Sequence, residues 1–97
     1  MPRYMVQRTF PDGLAIPLGD DGADICRAVI ERNADDGVTW VHSYVSADKR
    51  TSFCVYDAPT PEAIRKTATR NDLPVDQITQ TQVLDPYFYG QGGLMRT

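Results

Sequence analysis

Two short stretches of strand-forming residues, separated by a polar turn, constrain the fold of this chain more than any other feature of its sequence. Residues 38–46 are rich in Val, Thr, Trp and Tyr, and residues 51–56 contain Phe, Val and Tyr. Such residues favour β-strands, and the intervening Ala-Asp-Lys-Arg segment is polar and turn-like. The two stretches therefore predict a β-hairpin in the middle of the chain.

Before the hairpin, the sequence predicts one strand and one helix. Residues 4–10 alternate between two faces, although Arg8 interrupts the more apolar face and is expected to reach the sheet edge with its charged end. Apolar residues then recur at helical spacing within residues 25–30, which predicts a buried helical stripe. We expect an aspartate to cap the start of this helix and Gly37 to follow its end.

After the hairpin, a second helix and a last strand are predicted. Thr60 followed by Pro61 is typical of a helix start, because threonine caps the first turn and proline fits its first position. Asn71 and Pro74 indicate where this helix ends. Residues 77–84 alternate weakly and predict a strand at an edge of the sheet.

The predicted order of elements is that of a ferredoxin-like α+β sandwich, βαββαβ. Right-handed crossovers place both helices on one face of a four-stranded antiparallel sheet and leave the other face open. Ninety-seven residues suffice for one such domain with a modest core. We assign residues 1–89 to this domain and expect the glycine-rich residues 90–97 to form a flexible C-terminal tail.

Composition and charge exclude several classes of function. The net charge of -3 argues against nucleic-acid binding, which needs a basic face. No apolar run approaches the length of a membrane span, so no membrane association is expected. Cys26 and Cys54 lack zinc-site spacing and are expected to be reduced, which favours a cytoplasmic protein.

On the open face, the hairpin is expected to carry an aromatic patch with one imidazole and one thiol. If Val41 and Val55 are partners on the helix-covered face, then His42 lies opposite Cys54 on the other face. A slip of one residue would move Cys54 to the helix side. The predicted patch consists of Trp40, His42, Tyr44, Cys54 and Tyr56.

Three interpretations of this patch are compatible with the residues. The first is a dimer interface, since exposed aromatic sheet faces in small domains favour association. The second is a metal site at His42, with Cys54 or a carboxylate as a second ligand, since imidazole and thiolate both bind transition metals. The third is a small catalytic cleft in which His42 acts as a general base.

Several motifs occur in order along the chain: YMVQR at residues 4–8, GVTWVHSYVS at 37–46, FCVY at 53–56, APTPEAIR at 58–65 and LDPYFY at 84–89. Through these motifs, the chain resembles a family of small, mostly bacterial nickel-binding proteins with a streptomycete member, formerly called a domain of unknown function. The resemblance spans about residues 3–89. It implies a ferredoxin-like fold, a homodimer and nickel ions bound by the protein.

The resemblance also suggests site residues. His42 and Cys54 lie within matching motifs, and we expect both to be metal ligands. The family often has Glu where this chain has Gln7, which is a poorer ligand. The residues expected to contact a ligand on the open face are Gln7, Trp40, Tyr44 and Tyr56.

The resulting hypothesis is a non-enzymatic nickel-binding protein that forms a homodimer through the open sheet face and stores or buffers the metal. Zinc and copper suit the same donors. The alternative is a cofactor-free enzyme or small-ligand binder of the dimeric α+β barrel type. Its pocket would lie between two sheets and be lined by His42, Tyr44, Gln7 and Tyr56.

Overall fold

The strands and long helices of the protein occur in the order that the sequence predicts. A computed structural model describes residues 2–16 and 19–89, with backbone alone at 88 and 89, so the expected tail 90–97 lies outside the described residues. Of the helices within these ranges, none has the length and apolar character needed to span a membrane. The elements are β1 Arg3–Thr9, α1 Asp20–Ala34, β2 Thr39–Val45, β3 Thr51–Asp57, α2 Pro61–Arg70, β4 Gln77–Thr81 and a short α3 Pro86–Tyr89.

The four strands form one sheet in the order β2-β3-β1-β4, and all neighbouring strands are antiparallel. This topology confirms the predicted ferredoxin-like α+β fold. The last strand lies at an edge, as predicted, but it ends at Thr81 rather than at residue 84. The reason is its partner: Thr81 pairs with Arg3, where β1 begins, so β1 offers no further residue to extend the ladder.

The two long helices begin in different ways. Thr60 caps α2 by accepting a hydrogen bond of 3.2 Å from the backbone N–H of Ala63, and Pro61 occupies the first helical position, as predicted. In α1 the expected aspartate cap is wrong, because Gly19 holds the cap position with a φ of 88°. Asp20 and Asp21 lie instead in the first turn, where negative charge is favourable beside the helix dipole.

The core lies between α2 and the sheet, and α1 contributes little to it. Tyr4 and Val6 of β1 pack there with Ile64 of α2. Within α1 the buried residues are Gly22 and Asn33. The predicted apolar stripe at 25–30 is therefore only partly buried, with Ile25 43% exposed and Ile30 50% exposed. Because α1 does not bury this stripe in the core, space is left between α1 and the sheet.

Polar side chains join the C-terminal ends of α1 and α2. Asn71 donates a hydrogen bond of 3.0 Å to the side-chain oxygen of buried Asn33, and Arg32 donates one of 3.1 Å to the side-chain oxygen of Asn71. The backbone oxygen of Asn33 also accepts a hydrogen bond of 3.0 Å from Val38, at the entry to β2. These bonds hold the C-terminal end of α1 in place.

The cap of α2 provides a direct test of the local structure. We expect Thr60→Ala to lower the free energy of unfolding by about 1 kcal/mol, because the N–H of Ala63 loses its acceptor. Urea denaturation of both proteins measures this difference. Thr60→Ser keeps the hydroxyl and should stay within about 0.5 kcal/mol of the original chain. Equal losses in both variants would show that the hydroxyl does not cap the helix.

Candidate functional site

One extra residue in β2 decides which side chains of the hairpin share a face. Trp40 pairs with Tyr56, as predicted, but a register shift follows and the next pair joins His42 to Val55. Val41 is the extra residue of a β-bulge, which places two residues against one on the partner strand. The predicted pairing of His42 with Cys54 is therefore wrong, and Cys54 instead lies opposite Ser43.

The bulge lets the partly buried Trp40 pack against the core without reversing the rest of the strand. Strict alternation would turn Trp40 and Ser43 to opposite faces of the sheet. With the extra residue they share the helix-covered face, where the indole N–H of Trp40 donates a hydrogen bond of 2.8 Å to the hydroxyl of Ser43. Burial of a large indole with its N–H satisfied is favourable, which gives a physical reason for the irregularity.

The predicted patch is consequently divided between the two faces of the sheet. Cys54 and Tyr56 belong to the buried core cluster on the helix side, and Trp40 packs against that cluster. The expectation that these three side chains lie on the open face is wrong. His42 and Tyr44 do lie on the open face, because they pair with Val55 and Phe53.

The open face is apolar and aromatic around a single imidazole. The rings of His42 and Tyr44 meet edge to face, with centroids 5.1 Å apart and planes at 88°. Tyr44 is 60% exposed, and its partner Phe53 is 38% exposed. Gln7 lies on the same face in β1, opposite Phe53. The face thus presents an accessible imidazole beside exposed apolar area.

One chain does not supply enough donors on this face for a complete metal site. Among residues 2–16 and 19–89, no three His, Cys, Asp or Glu side chains are grouped so that they could hold one ion. His42 is the only histidine of the sequence. Cys54 lies on the opposite face of the sheet, so its thiol and the His42 imidazole do not converge on one ion. The donors of a single chain therefore do not fit a closed nickel site.

The helix side contains a cavity of about 320 Å³ between α1 and the sheet, partly open to solvent. It occupies the space that α1 leaves by not packing into the core. Apolar side chains predominate in its walls, among them Leu14, Ile25, Val29 and Leu73. The sheet contributes residues with polar side chains to the lining as well, namely Arg8, Ser43, Ser52, Cys54 and Tyr56.

Arg8 is the unexpected member of this cavity. Its side chain is 2% exposed, so the prediction that it reaches the sheet edge is wrong. Its Nη1 donates a hydrogen bond of 2.6 Å to the carbonyl of Pro74, and its Nη2 donates one of 3.2 Å to the hydroxyl of Tyr56. Its Nε is buried and has no hydrogen-bond partner among the described residues.

The hydroxyl of Tyr56, which accepts a hydrogen bond from Arg8, is also affected by burial and by the charge of this arginine. Burial raises the pKa of Tyr56, and the nearby Arg8 charge opposes that rise while Cys54 adds to it. The Arg8 guanidinium also lies 5.9 Å from the centroid of the Tyr56 ring, within cation–π range. A neutral phenol therefore contacts the buried cation at physiological pH, and it does not balance the positive charge.

The sequence analysis did not predict that Arg8 is buried beside a cavity, although a signal was present. Tyr4, Val6 and Arg8 follow one another at the two-residue spacing of a single strand face. A charged residue on an otherwise apolar face marks either an edge or a buried site. Arg8 can be buried only if the carbonyl of Pro74 and the hydroxyl of Tyr56 accept hydrogen bonds from its N–H groups. The positions of these acceptors are set by the tertiary structure.

An ion pair at one end of the open face gives a prediction for the pH dependence of stability. Arg3 donates to both carboxylate oxygens of Asp57, at 2.9 and 3.1 Å. The hydrogen bond from Arg3 lowers the pKa of Asp57, against a smaller opposing effect of burial. A carboxylate whose folded pKa is depressed stabilises the fold above its unfolded pKa and loses that contribution as pH falls through the folded value.

We therefore expect Asp57→Asn to destabilise the protein by about 0.5 kcal/mol at pH 7. The difference between the two proteins should shrink once pH falls below 3.8, the ordinary aspartate value, as Asp57 becomes protonated. Urea denaturation at several pH values measures it. Asp12→Asn, in an exposed turn, serves as the matched control. A difference for Asp57→Asn that persists unchanged at pH 2 would contradict the assignment to the ion pair.

Comparisons with known proteins place this chain in a family. A comparison with curated proteins finds no match. SCO4226 from Streptomyces coelicolor A3(2) has a crystal structure that aligns with a TM-score of 0.64 at 18% identity, over 81% of this chain and 94% of that chain. This likeness supports the ferredoxin-like fold. A family model described as "nickel responsive protein SCO4226-like" matches residues 4–81. Because this match covers most of the sequence, the chain belongs to the SCO4226-like family of nickel-responsive proteins.

Proposed function

We propose that the protein is a homodimeric, non-enzymatic nickel-binding protein in which His42 of each subunit is a metal ligand. The observation that carries this proposal is the position of His42, the only histidine, which is exposed on the helix-free face. Imidazole nitrogen is a good ligand for nickel and for neighbouring transition metals. The name of the family, nickel-responsive, supports nickel as the ion.

The shortage of donors in one chain is the argument for a dimer. A two-fold interface presents the same surface patch twice, so each donor of the open face occurs in two copies. Two His42 imidazoles then face a shared interface, and Gln7 adds a weaker amide oxygen from each subunit. Carboxylates or water complete the coordination. Metal binding and association support each other in this arrangement, because metal binds the dimer more tightly than the separate subunits.

The apolar character of the open face supports association independently of metal. Tyr44 and Phe53 are directly paired and substantially exposed. Adjacent aromatic groups of this kind on a helix-free sheet are typical of interfaces rather than of free surfaces. A second copy of the chain suits such a face, because a two-fold pairing buries the same aromatic area on both partners.

The hairpin places its side chains on two faces of the sheet, and this reduces the set of residues that can belong to the proposed metal site. Cys54 is kept out of the metal sphere because it lies on the helix side with the core. The alternative of a pocket between two sheets loses Tyr56 for the same reason, and no observation favours it further. An exposed site with few donors is suited to reversible binding, so we propose buffering or storage of the metal as its role.

Titration of nickel into untagged protein treated with a chelator tests the metal site. We expect the original chain to bind nickel and His42→Ala to bind it at least about tenfold more weakly, because the imidazole supplies a direct bond. Isothermal titration calorimetry measures both affinities. An affinity tag rich in histidine must be absent, since it would bind nickel itself.

Cys54→Ser is the control that tests whether the thiol takes part in metal binding. It should bind nickel as tightly as the original chain, since the thiol lies on the other face of the sheet. Equal affinities for the original chain and His42→Ala would remove His42 from the site. A loss in Cys54→Ser as large as in His42→Ala would show that both residues contact the metal.

The dimer interface has its own test. We expect Phe53→Lys to shift the protein from dimer to monomer, because it places a charge in the middle of the apolar open face. Sedimentation equilibrium without metal measures the association. Ile30→Lys is the matched control, because Ile30 is an exposed aliphatic residue of α1 and lies away from that face. A dimer that survives in Phe53→Lys but dissociates in Ile30→Lys would place the interface on α1.

A further inference from the structure

Arg8 carries a buried positive charge that the described residues do not neutralise. Only 2% of the surface of Arg8 is exposed to solvent. None of the ion pairs between described residues involves it. A guanidinium keeps its proton in proteins, so it cannot become neutral in response to burial. A buried charge without a counterion is costly, and such groups occur where a partner of opposite charge binds.

The hydrogen bonds of Arg8 leave much of its donor capacity unused. A guanidinium has five N–H groups in one plane. The carbonyl of Pro74 and the hydroxyl of Tyr56 each accept one hydrogen bond, and both acceptors are neutral. A planar carboxylate matches a guanidinium because its two oxygens accept two parallel N–H bonds. The chemistry of the site therefore favours a carboxylate over a neutral ligand.

The cavity beside Arg8 has room for an apolar tail. Its volume of about 320 Å³ is about twice that of a 150 Å³ cavity that accommodates benzene. Ile25 and Val29 of α1 and Leu73, which follows α2, are among the apolar residues of its walls. A ligand here would combine one charged end with a medium-length aliphatic or aromatic body, as sites of this size usually do.

We propose that the cavity between α1 and the sheet binds a small amphipathic monocarboxylate, with its carboxylate against Arg8 and its apolar tail against α1. The hydroxyl of Tyr56 is a further hydrogen-bond group beside the carboxylate. Arg32 lies at the same cavity but is exposed and already bonded to Asn71, so its charge is screened by water. The selective cation is therefore Arg8.

This site goes beyond the proposed nickel function and is physically separate from it. Arg8 and the cavity lie on the helix side of the sheet, whereas His42 lies on the open side. A variant at one site leaves the other side chain in place. The two proposals can therefore fail independently of each other.

Octanoate and its neutral analogue octanamide are suitable probes, because they share a tail and differ in charge. Trp40 is the single tryptophan of the sequence and lines the cavity, so its fluorescence reports binding. At pH 7 we expect saturable binding of octanoate at least about tenfold tighter than that of octanamide. Equal affinities, or no saturable binding of octanoate at millimolar concentration, would overturn the proposal.

Arg8→Met tests which residue selects the charge. It removes the cation and retains an unbranched apolar side chain, so the fold should tolerate it. We expect octanoate binding to weaken to the level of octanamide, while octanamide binding stays within about twofold. Far-ultraviolet circular dichroism checks that the variant is folded. If it is not, the comparison of the two probes on the original chain still decides the proposal.

Three further variants complete the experiment. Arg27→Met removes an exposed α1 charge outside the cavity and should bind octanoate as the original chain does. Arg32→Met should weaken octanoate binding no more than about twofold. Loss of the preference for octanoate in Arg32→Met, with its retention in Arg8→Met, would reject Arg8 as the selecting group. His42→Ala should bind octanoate normally, and this separates the outcome from that of the nickel titration.

Discussion

The β-bulge at Val41 is the constraint on which the rest of the site depends. One unpaired residue lets Trp40 share a face with Ser43, and it divides the hairpin between two environments. Every later residue of β2 keeps the orientation that the bulge sets. As a result, the imidazole of His42 faces outward while the thiol of Cys54 faces the core. The bulge also keeps the two groups from sharing a metal ion, although they belong to neighbouring strands.

Arg8 is a buried cation on the helix side of the sheet, beside the cavity. An apolar residue at this position would pack against Val6 and Tyr56 without the cost of a desolvated charge. The guanidinium instead makes two hydrogen bonds to neutral acceptors, and its buried Nε has no partner among the residues that the structure describes. Such a group stabilises the fold poorly when no ligand is bound. The proposed carboxylate in the adjoining cavity would supply the counterion that the described residues do not.

Local signals predicted the fold well because they act over a few residues. Thr60 and Pro61 define a helix start through their own hydrogen bonding and geometry, and both are confirmed. The element order and the edge position of β4 follow from the pattern of the chain in the same way. The alternation of residues 38–46 also placed His42 and Tyr44 on the open face. These features need no knowledge of distant contacts.

The candidate site was less predictable because it depends on tertiary contacts. Trp40 and Val41 are both apolar, so the sequence offers no mark of the residue that leaves the ladder. The two faces of β3 are also the reverse of those predicted: Cys54 and Tyr56 lie on the core side, and Phe53 and Val55 lie on the open side. The burial of Arg8 likewise depends on acceptors far along the chain, at Pro74 and Tyr56. Periodicity cannot reveal such partners.

The two faces of the sheet differ in how many ligand-binding side chains one chain supplies, and this distinguishes the proposed anion site from the proposed metal site. On the helix side, one chain provides a cation, a phenol and apolar walls, so an anion site can be complete in a monomer. On the open side, the described residues of one chain provide a single imidazole and no group of three metal donors, so the proposed metal site draws on a second copy. Under the two proposals, metal binding depends on association of two chains, whereas binding in the cavity does not. One sheet can carry both proposed sites because side chains along a strand alternate between its two faces, and this alternation is interrupted in β2 by the bulge at Val41.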